Sequence, residues 1–351
     1  MKTYKAAQTP GFFDVELRVQ WLLAKGNSLS RLDAVIDWES FRPLLEAVWD
    51  KPAKGPGGPR PNDPLQMFKA LLVQRFYGLS DEQTEYQIND RLSFQQFIGW
   101  TLADKIPDAN TLWDFREALI QAGAFAKLFA RFDEQLRARG LLAQPGKLVD
   151  ASFVDVPRQR NSREENATIK GGGTPAEWAE QPAKQRQKDV DVRWTKKNDE
   201  RHYGYKNHVK ADVKSKLIAK YAVTDASVHD SQQLAPLVEP TDGAVSADSA
   251  YRSAETEAWL AQQPVTSQIH ERAYRNHPLT ATQKEANRQK SKIRARIEHV
   301  FGYMSQSMKG FYLRYIGKRR NAAAIGFINL IYNLARYEQI VRLQLLPLRA
   351  V

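Results

Sequence analysis

The sequence predicts an α/β protein, a mixed sheet with flanking helices, preceded by an all-helical region. Up to about residue 140 apolar residues recur at helical spacing. From Lys147 the period changes to short, partly β-branched or alternating runs. Beyond 203 the runs follow one another as strands and helices in a mixed α/β order. At 351 residues the chain exceeds the roughly 250–300 that one core usually supports, so two units, or one with insertions, are expected. We divide it into a helical region at 1–140, a mixed α/β unit at 141–320 with a polar insertion at about 155–202, and a C-terminal helix at 321–351 packed on the core.

In the helical region, LQMFKALLVQRF (65–76) places Leu65, Phe68, Leu72 and Phe76 on one face. Asp63 stands as its N-cap and Pro64 in its first turn. Ser80 with Gln83, and Ser93 with Gln96, fit the capping box, in which hydroxyl and amide satisfy each other's free backbone donors. KPAKGPGGPRP (51–61) reads as a Pro/Gly connector.

KLVDASFV (147–154) and YGYKNHVKADV (203–213) read as strands, the second with Lys206, His208, Lys210 and Asp212 on one face. LIAKYAVTDA (217–226) follows VKSK closely enough for an antiparallel hairpin. A helical piece (about 231–238), an apolar strand GAVSADSA (243–250), a helix capped by Ser253 with Glu255 and Glu257 in its first turn, and a strand VTSQIH (265–270) complete the sheet. The polar stretch 155–202, with GGG at 171–173 and few apolar anchors, is expected to be flexible or ordered by a ligand. Thr280 and Gln283 form a further capping box, opening a long helix whose stripe is Ile293, Ile297, Val300, Phe301, Met304 and Met308 and whose other face is basic. AAAIGFINLIYNLA (322–335) is too short for a membrane span and contains Asn329 and Asn333, so it reads as a buried helix.

The absence of cysteine removes disulfides, thiolate zinc sites and cysteine nucleophiles together. MKTYKAAQTPGFFDVELRV lacks the apolar core of a secretory signal, which points to the cytoplasm. The net charge of +12 is localised. Lys+Arg and Asp+Glu balance at 18 and 18 in residues 1–140 and at 8 and 9 in 203–280, whereas 281–320 holds 11 against 2. Concentrating charge in one segment suits a phosphate backbone better than solubility alone.

Three acids stand where an apolar setting makes them costly: Asp150 interrupts an apolar strand, Asp248 ends the next one just before a turn and helix, and Glu298 lies beside the core-facing stripe. Carboxylates in such places bind metal or pair, and hard oxygen ligands suit Mg²⁺ in phosphoryl transfer. Each also fits a structural role. Asp150 can cap a turn, Asp248 can start the helix at 253, and Glu298 can pair with Arg294 one turn earlier for about 0.2–0.5 kcal/mol. The basic patch around Glu298 favours the catalytic reading, since DNA phosphates need acid for metal and base for backbone in one place.

In the helical half, DPLQMFKALLVQRFYGLSDEQ (63–83), LSFQQFIGW (92–100) and IPDANTLWDFR (106–116), and in the other half VDAS (149–152), HYGYKNH (202–208), VTDASVHDS (223–231), ADSAYRS (247–253) and RARIEHVFG (294–302), form an ordered series. In that order they resemble the DDE transposases of bacterial insertion sequences, particularly the insertion-sequence-five group. The resemblance implies a ribonuclease-H-like catalytic domain in which Asp150, Asp248 and Glu298 hold two Mg²⁺ ions, with Mn²⁺ as a substitute. It also implies double-stranded DNA ends and target DNA as partners, a homodimer on DNA and a place at the nucleoid. Arg294 stands four residues before Glu298, as in that family's signature, but Ser291 and Ser305 occupy its tyrosine and lysine positions. Lys309 is then the candidate for the lysine's contact. Ser249 and Ala250 precede Tyr251 where lysine and glycine are usual. Asp248 is preferred over Asp225 or Asp230 because it alone ends a strand immediately ahead of a helix. The DNA-contact candidates are Lys292, Arg294, Arg296, Lys309, Tyr251, Arg252, Lys206, His208 and Trp194. Trp178 and Trp194 are candidates to stack on opened bases. His208 and His229 are candidates to touch substrate or metal, although lone histidines are more often structural. A hydrolytic junction resolvase or repair nuclease, a non-catalytic DNA-binding derivative and a basic scaffold remain the rival readings.

Overall fold

The computed structural model describes residues 9, 11–49, 61–142, 145–197, 199–274 and 277–349. The connector expected at 51–61 lies outside them except for Pro61. The helical region comprises α1 (Asp14–Lys25), α2 (Ser28–Val35), α3 (Arg42–Glu46), α4 (Pro64–Tyr77), α5 (Asp81–Asp90), α6 (Leu92–Ile98), α7 (Ala109–Gln121) and α8 (Ala124–Ala138). Helix α4 starts as its sequence dictates, with the Asp63 carboxylate accepting from the amides of Leu65 and Gln66 and Pro64 at the first position. Ser80 and Gln83 form their capping box on α5. The box expected at Ser93 and Gln96 does not form. Arg91 alone joins α5 to α6, so Ser93 falls inside the helix and cannot stand before it. The Gln95 amide instead donates to the Ile88 and Asn89 carbonyls, closing the end of α5.

Six strands follow: β1 (Lys147–Asp155), β2 (Arg193–Lys197), β3 (Glu200–Asp212), β4 (Ile218–Asp225), β5 (Ala244–Ser246) and β6 (Thr266–Ser267). Antiparallel β1 and β3 form the centre, β5 and β6 continue in parallel beyond β1, and the outer edge of β3 is shared by β4 and β2. Setting β2 aside as an insertion, three antiparallel strands followed by two parallel ones give the ribonuclease-H-like arrangement. The regular parts of β5 and β6 are shorter than expected. Hydrogen bonds from Thr266, Gln268 and His270 to Gly243, Val245 and Ala247 nevertheless align the two segments over nearly the expected length.

Around the sheet lie α9 (Arg163–Lys170), α10 (Pro182–Arg186), α11 (Leu234–Leu237), α12 (Ala254–Ala261), α13 (Ala281–Gly302) and α14 (Lys318–Arg342). The polar insertion is ordered by its own residues. Trp178 is fully buried and donates to Glu165 at 2.6 Å, Lys184 pairs with the same carboxylate, and buried Asp189 accepts from the Tyr205 hydroxyl and the Gly317 amide. The expectation of a segment flexible without a ligand is therefore corrected. The sequence signal underweighted single large anchors, because one indole buries as much as several aliphatic chains.

Helix α13 has the expected Thr280–Gln283 capping box. Its Ile297 and Val300 are fully buried, as are Met304 and Met308 just beyond it, whereas Ile293 is exposed. Helix α14 packs against α2, α4, α7, α8 and β4. The contact is close: a Cβ on Gly326 would lie 2.3 Å from the Tyr221 hydroxyl. Asn329 exchanges two amide bonds with Asn207 of β3, at 2.7 and 3.0 Å, satisfying buried polar groups that would otherwise be costly. Among the described residues, no helix is long and apolar enough to cross a membrane.

Candidate active site

Strand β1 puts Asp150 in the middle of the sheet, across from Val209 of β3. On its other side the parallel register pairs Lys147 with Val245 and Leu148 with Ser246. Extending that register by two residues sets Asp150 opposite Asp248, and the charge of Asp248 acts on the Asp150 carboxyl. Asp248 lies two residues past β5 and caps the tight turn 249–251 by accepting from Ala250 at 2.9 Å. Asp225, the last residue of β4, is separated from β1 by the whole of β3. The helix at 254 is capped by Ser253, so Asp248 is not needed to start it.

Helix α13 crosses this strand pair. Arg294 donates to Asp150 at 3.0 Å and approaches Glu298, one turn further on, at 3.5 Å. The Asp150 side chain is 13% exposed and that of Glu298 66%. Burial pushes the Asp150 carboxyl up to about 6; the Ala151 amide and Arg294 oppose this, and Asp248 adds to it. A carboxyl so placed is short of positive charge, which one guanidinium only partly supplies. Among the described residues no three carboxylate or imidazole side chains close on one point. Asp150 and Asp248 are neighbours, while Glu298 joins them through Arg294.

Tyr251 is fully buried, and its hydroxyl makes no hydrogen bond among the described residues. Burial holds it well above the ordinary phenol value, and the charges of Asp150, Asp230 and Asp248 add to this. It belongs to the acid cluster and not to a DNA-facing surface. Lys206, expected along a backbone track, is likewise buried: its ammonium bonds the Val228 carbonyl at 2.7 Å and pairs with Asp230 at 2.8 Å. His208 is buried, meets Thr224 at 2.8 Å, and is pushed down to about 4 by burial, so it is neutral at physiological pH. Alternation had placed both on one face, but the turn after β4 covers that face. Arg252 is held by Glu257, Glu271 and the Ile269 carbonyl.

Four candidates remain open to solvent. Lys292 and Arg296 are exposed on α13, Lys309 follows that helix, and Trp194 is 47% exposed beside Tyr203 with Arg158 over its ring. Trp178 is packing. His229 caps the turn that follows it by accepting from Ser231. Asp230, weighed in the sequence only as a rival second acid, is the partner that holds Lys206. No motif marks that role.

Residues 143–334 match the family described as Transposase DDE domain, and residues 18–118 match that described as Transposase domain (DUF772). Among solved structures, the chain is similar to the piggyBac transposase synaptic complex with hairpin DNA, determined by cryo-electron microscopy. The TM-score is 0.43 and the identity 11%, over 92% of this chain and 76% of that one.

Proposed function

The chain belongs to the transposase DDE-domain family, and from that premise we propose that Asp150, Asp248 and Glu298 are the acids with which it cuts and joins DNA. The protein is a DNA transposase. The observation that supports the assignment of acids is that the charge of Asp248 reaches the Asp150 carboxyl, as expected if the β1–β5 register continues two residues past its last pair, with Arg294 lying between Asp150 and Glu298.

Asp150 and Asp248 offer hard oxygen donors at one place, and the Arg294 guanidinium marks where a cation is favoured. This fits a divalent ion at the first two acids. Glu298 completes the set once its bond to Arg294 is released. Two Mg²⁺ ions, or Mn²⁺ in their stead, would supply the Lewis acidity that activates an attacking hydroxyl and stabilises the leaving oxygen of the phosphodiester. The chain's own residues do the rest. Arg294, freed from the carboxylates, meets a phosphate, and Lys292 and Arg296 extend that contact along α13. Buried Tyr251, whose phenol feels the charges of Asp150 and Asp248, contributes an apolar ring to the floor of the site. Cleavage frees a 3′-hydroxyl, and the same site directs it at target DNA. A homodimer holds the two ends of the element together, on double-stranded terminal repeats.

The test is incubation of the protein with Mg²⁺ and the DNA flanking its own reading frame, beside Asp150→Asn, followed by mapping of new strand ends. Defined cuts at inverted repeats, joined products and an inactive variant are expected. Binding without cuts, identical in both proteins, would replace this reading with a non-catalytic DNA-binding protein.

A further inference from the structure

A cleft of about 710 Å³ opens between α4, α5 and α7 on one side and the segment that follows α13 on the other. Its charged lining is Arg75, Arg116, Lys309 and Arg314 against one carboxylate, Asp81. Asp81 is already committed, because Arg116 grips both its oxygens at 2.5 and 2.9 Å. The cleft therefore presents three cations with no acid to answer them.

Arg75 is the most telling of these. Its guanidinium donates to the Gly310 carbonyl at 2.8 Å, its Nε is buried with no partner among the described residues, and it has no ion pair there. Burial pulls it below the ordinary guanidinium value. A buried cation without a counter-charge is costly, and an anion in the cleft would offset that cost. Arg116 adds a second buried Nε without a partner among the described residues. Lys309 and Arg314 are exposed on the rim. Lys309 is held there by its backbone, in the left-handed region at φ 49°, and its stem lies against Gly78, itself at φ 65°. Gly78 adopts that region freely, but a lysine there is strained, and strain of that kind gathers at ligand sites.

Tyr312 projects beside these cations with half its surface open. Phosphate-seeking groups next to an open aromatic ring match a nucleotide whose base has left its stack, since every base offers a face to an aromatic ring. The volume is within the range of nucleotide-sized sites, roughly 300–1,000 Å³. The segment is also tied to the active strand: Asp155 of β1 donates to the Phe311 carbonyl at 2.8 Å and accepts from Leu313 at 2.9 Å. Asp150 lies five residues earlier on that strand, roughly 17 Å at about 3.3 Å per residue.

We propose that this cleft is a second nucleic-acid site, which takes one unpaired nucleotide of the bound DNA, its phosphate against Arg75, Lys309 and Arg314 and its base against Tyr312. The inference rests on the transposase reading, but its test needs no catalysis. The full chain is titrated, in chelator without divalent ions, into a 5′-labelled octathymidylate and into a blunt duplex of the same length, followed by fluorescence anisotropy. Lys309→Gln with Arg314→Gln, both exposed and so compatible with folding, is expected to weaken single-strand binding at least tenfold. It should also flatten the salt slope by about 0.7, for the one phosphate that these side chains share. Tyr312→Ala is expected to lose about tenfold with the slope unchanged. Arg75→Gln should follow the double variant, its melting temperature being recorded alongside. Wild-type affinity and slope in the double variant would overturn the site, and wild-type affinity in Tyr312→Ala would overturn the nucleotide as its ligand. Asp150→Asn should bind the octathymidylate as wild type does, so failure here is separable from failure of the catalytic reading.

Discussion

Asp150 carries an electrostatic load that the fold does not need. Its carboxyl is pushed up to about 6, first by burial. The sign follows from linkage. Below the unfolded value, near 3.8, the group is neutral in both states and costs nothing; as pH rises through about 6 the folded protein must hold a buried charge, and stability falls. Asp150→Asn removes that charge and leaves Arg294 paired with Glu298. At pH 7.5 in chelator the variant should be more stable than wild type by about 1–3 kcal/mol in denaturant unfolding, and the two should converge towards pH 4. Mg²⁺ should reverse the order, stabilising wild type by about 2.7 kcal/mol at a hundred times its dissociation constant and leaving the variant unmoved. A variant less stable than wild type at pH 7.5 without metal would show that the carboxylate is structural. At this scale the sequence points to Asp150 and Asp248 because a charge that interrupts an apolar run demands a reason, and the structure brings these two together. The burial of Lys206, His208 and Tyr251 was not legible. Period-two alternation tells which side chains share a face of a strand, but not whether a later turn covers that face, and here the turn that carries Asp230 does.

Helices were easier to read than strand ends. Asp63, Ser80, Ser253 and Thr280 cap as their side chains dictate, because a cap is decided within four residues. The failure at Ser93 came from a neighbouring helix ending one residue too late, which local chemistry does not reveal. The insertion was misjudged for the same reason at longer range, since the buried Trp178 donates to Glu165 of α9, and Lys184 of α10 pairs with that carboxylate and lies over the indole ring. Helix α13 is the element on which charge and acid meet. Lys292 bonds only to Gln289 and Arg296 only to the Val213 carbonyl, so neither is consumed by an ion pair among the described residues. Replacing either by Gln should lower the slope of log affinity against log salt for duplex DNA by about 0.9 and leave the fold intact. An unchanged slope in both, measured by anisotropy over a salt series, would take α13 out of the DNA path.

The division of the chain at residue 140 marks a change of period, and the packing does not respect it. Helix α14 lies against α2, α4, α7 and α8 of the helical region and against β4 of the sheet. The same apolar cluster runs from Leu29 through Phe68, Phe125 and Phe132 to Val209, Ile218 and Ile331 without a break. Arg320 and Glu117, with paired bonds near 3.0 Å, and Arg75 with Gly310 add polar ties between the two halves. Neither half can expose its face of α14 cheaply, because each buried aliphatic or aromatic side chain contributes about 1.5–3 kcal/mol. The halves should therefore unfold together. Trp38, Trp49 and Trp100 report on the helical region and Trp178 on the insertion, so single-tryptophan variants in urea can follow each separately. Coincident midpoints are expected, as for one cooperative unit. If instead the helical reporters and Trp178 moved apart by more than the error of the fit, α14 would belong to one half alone, and a helical region able to shift relative to the acids would have to be built into any account of how the DNA ends are positioned.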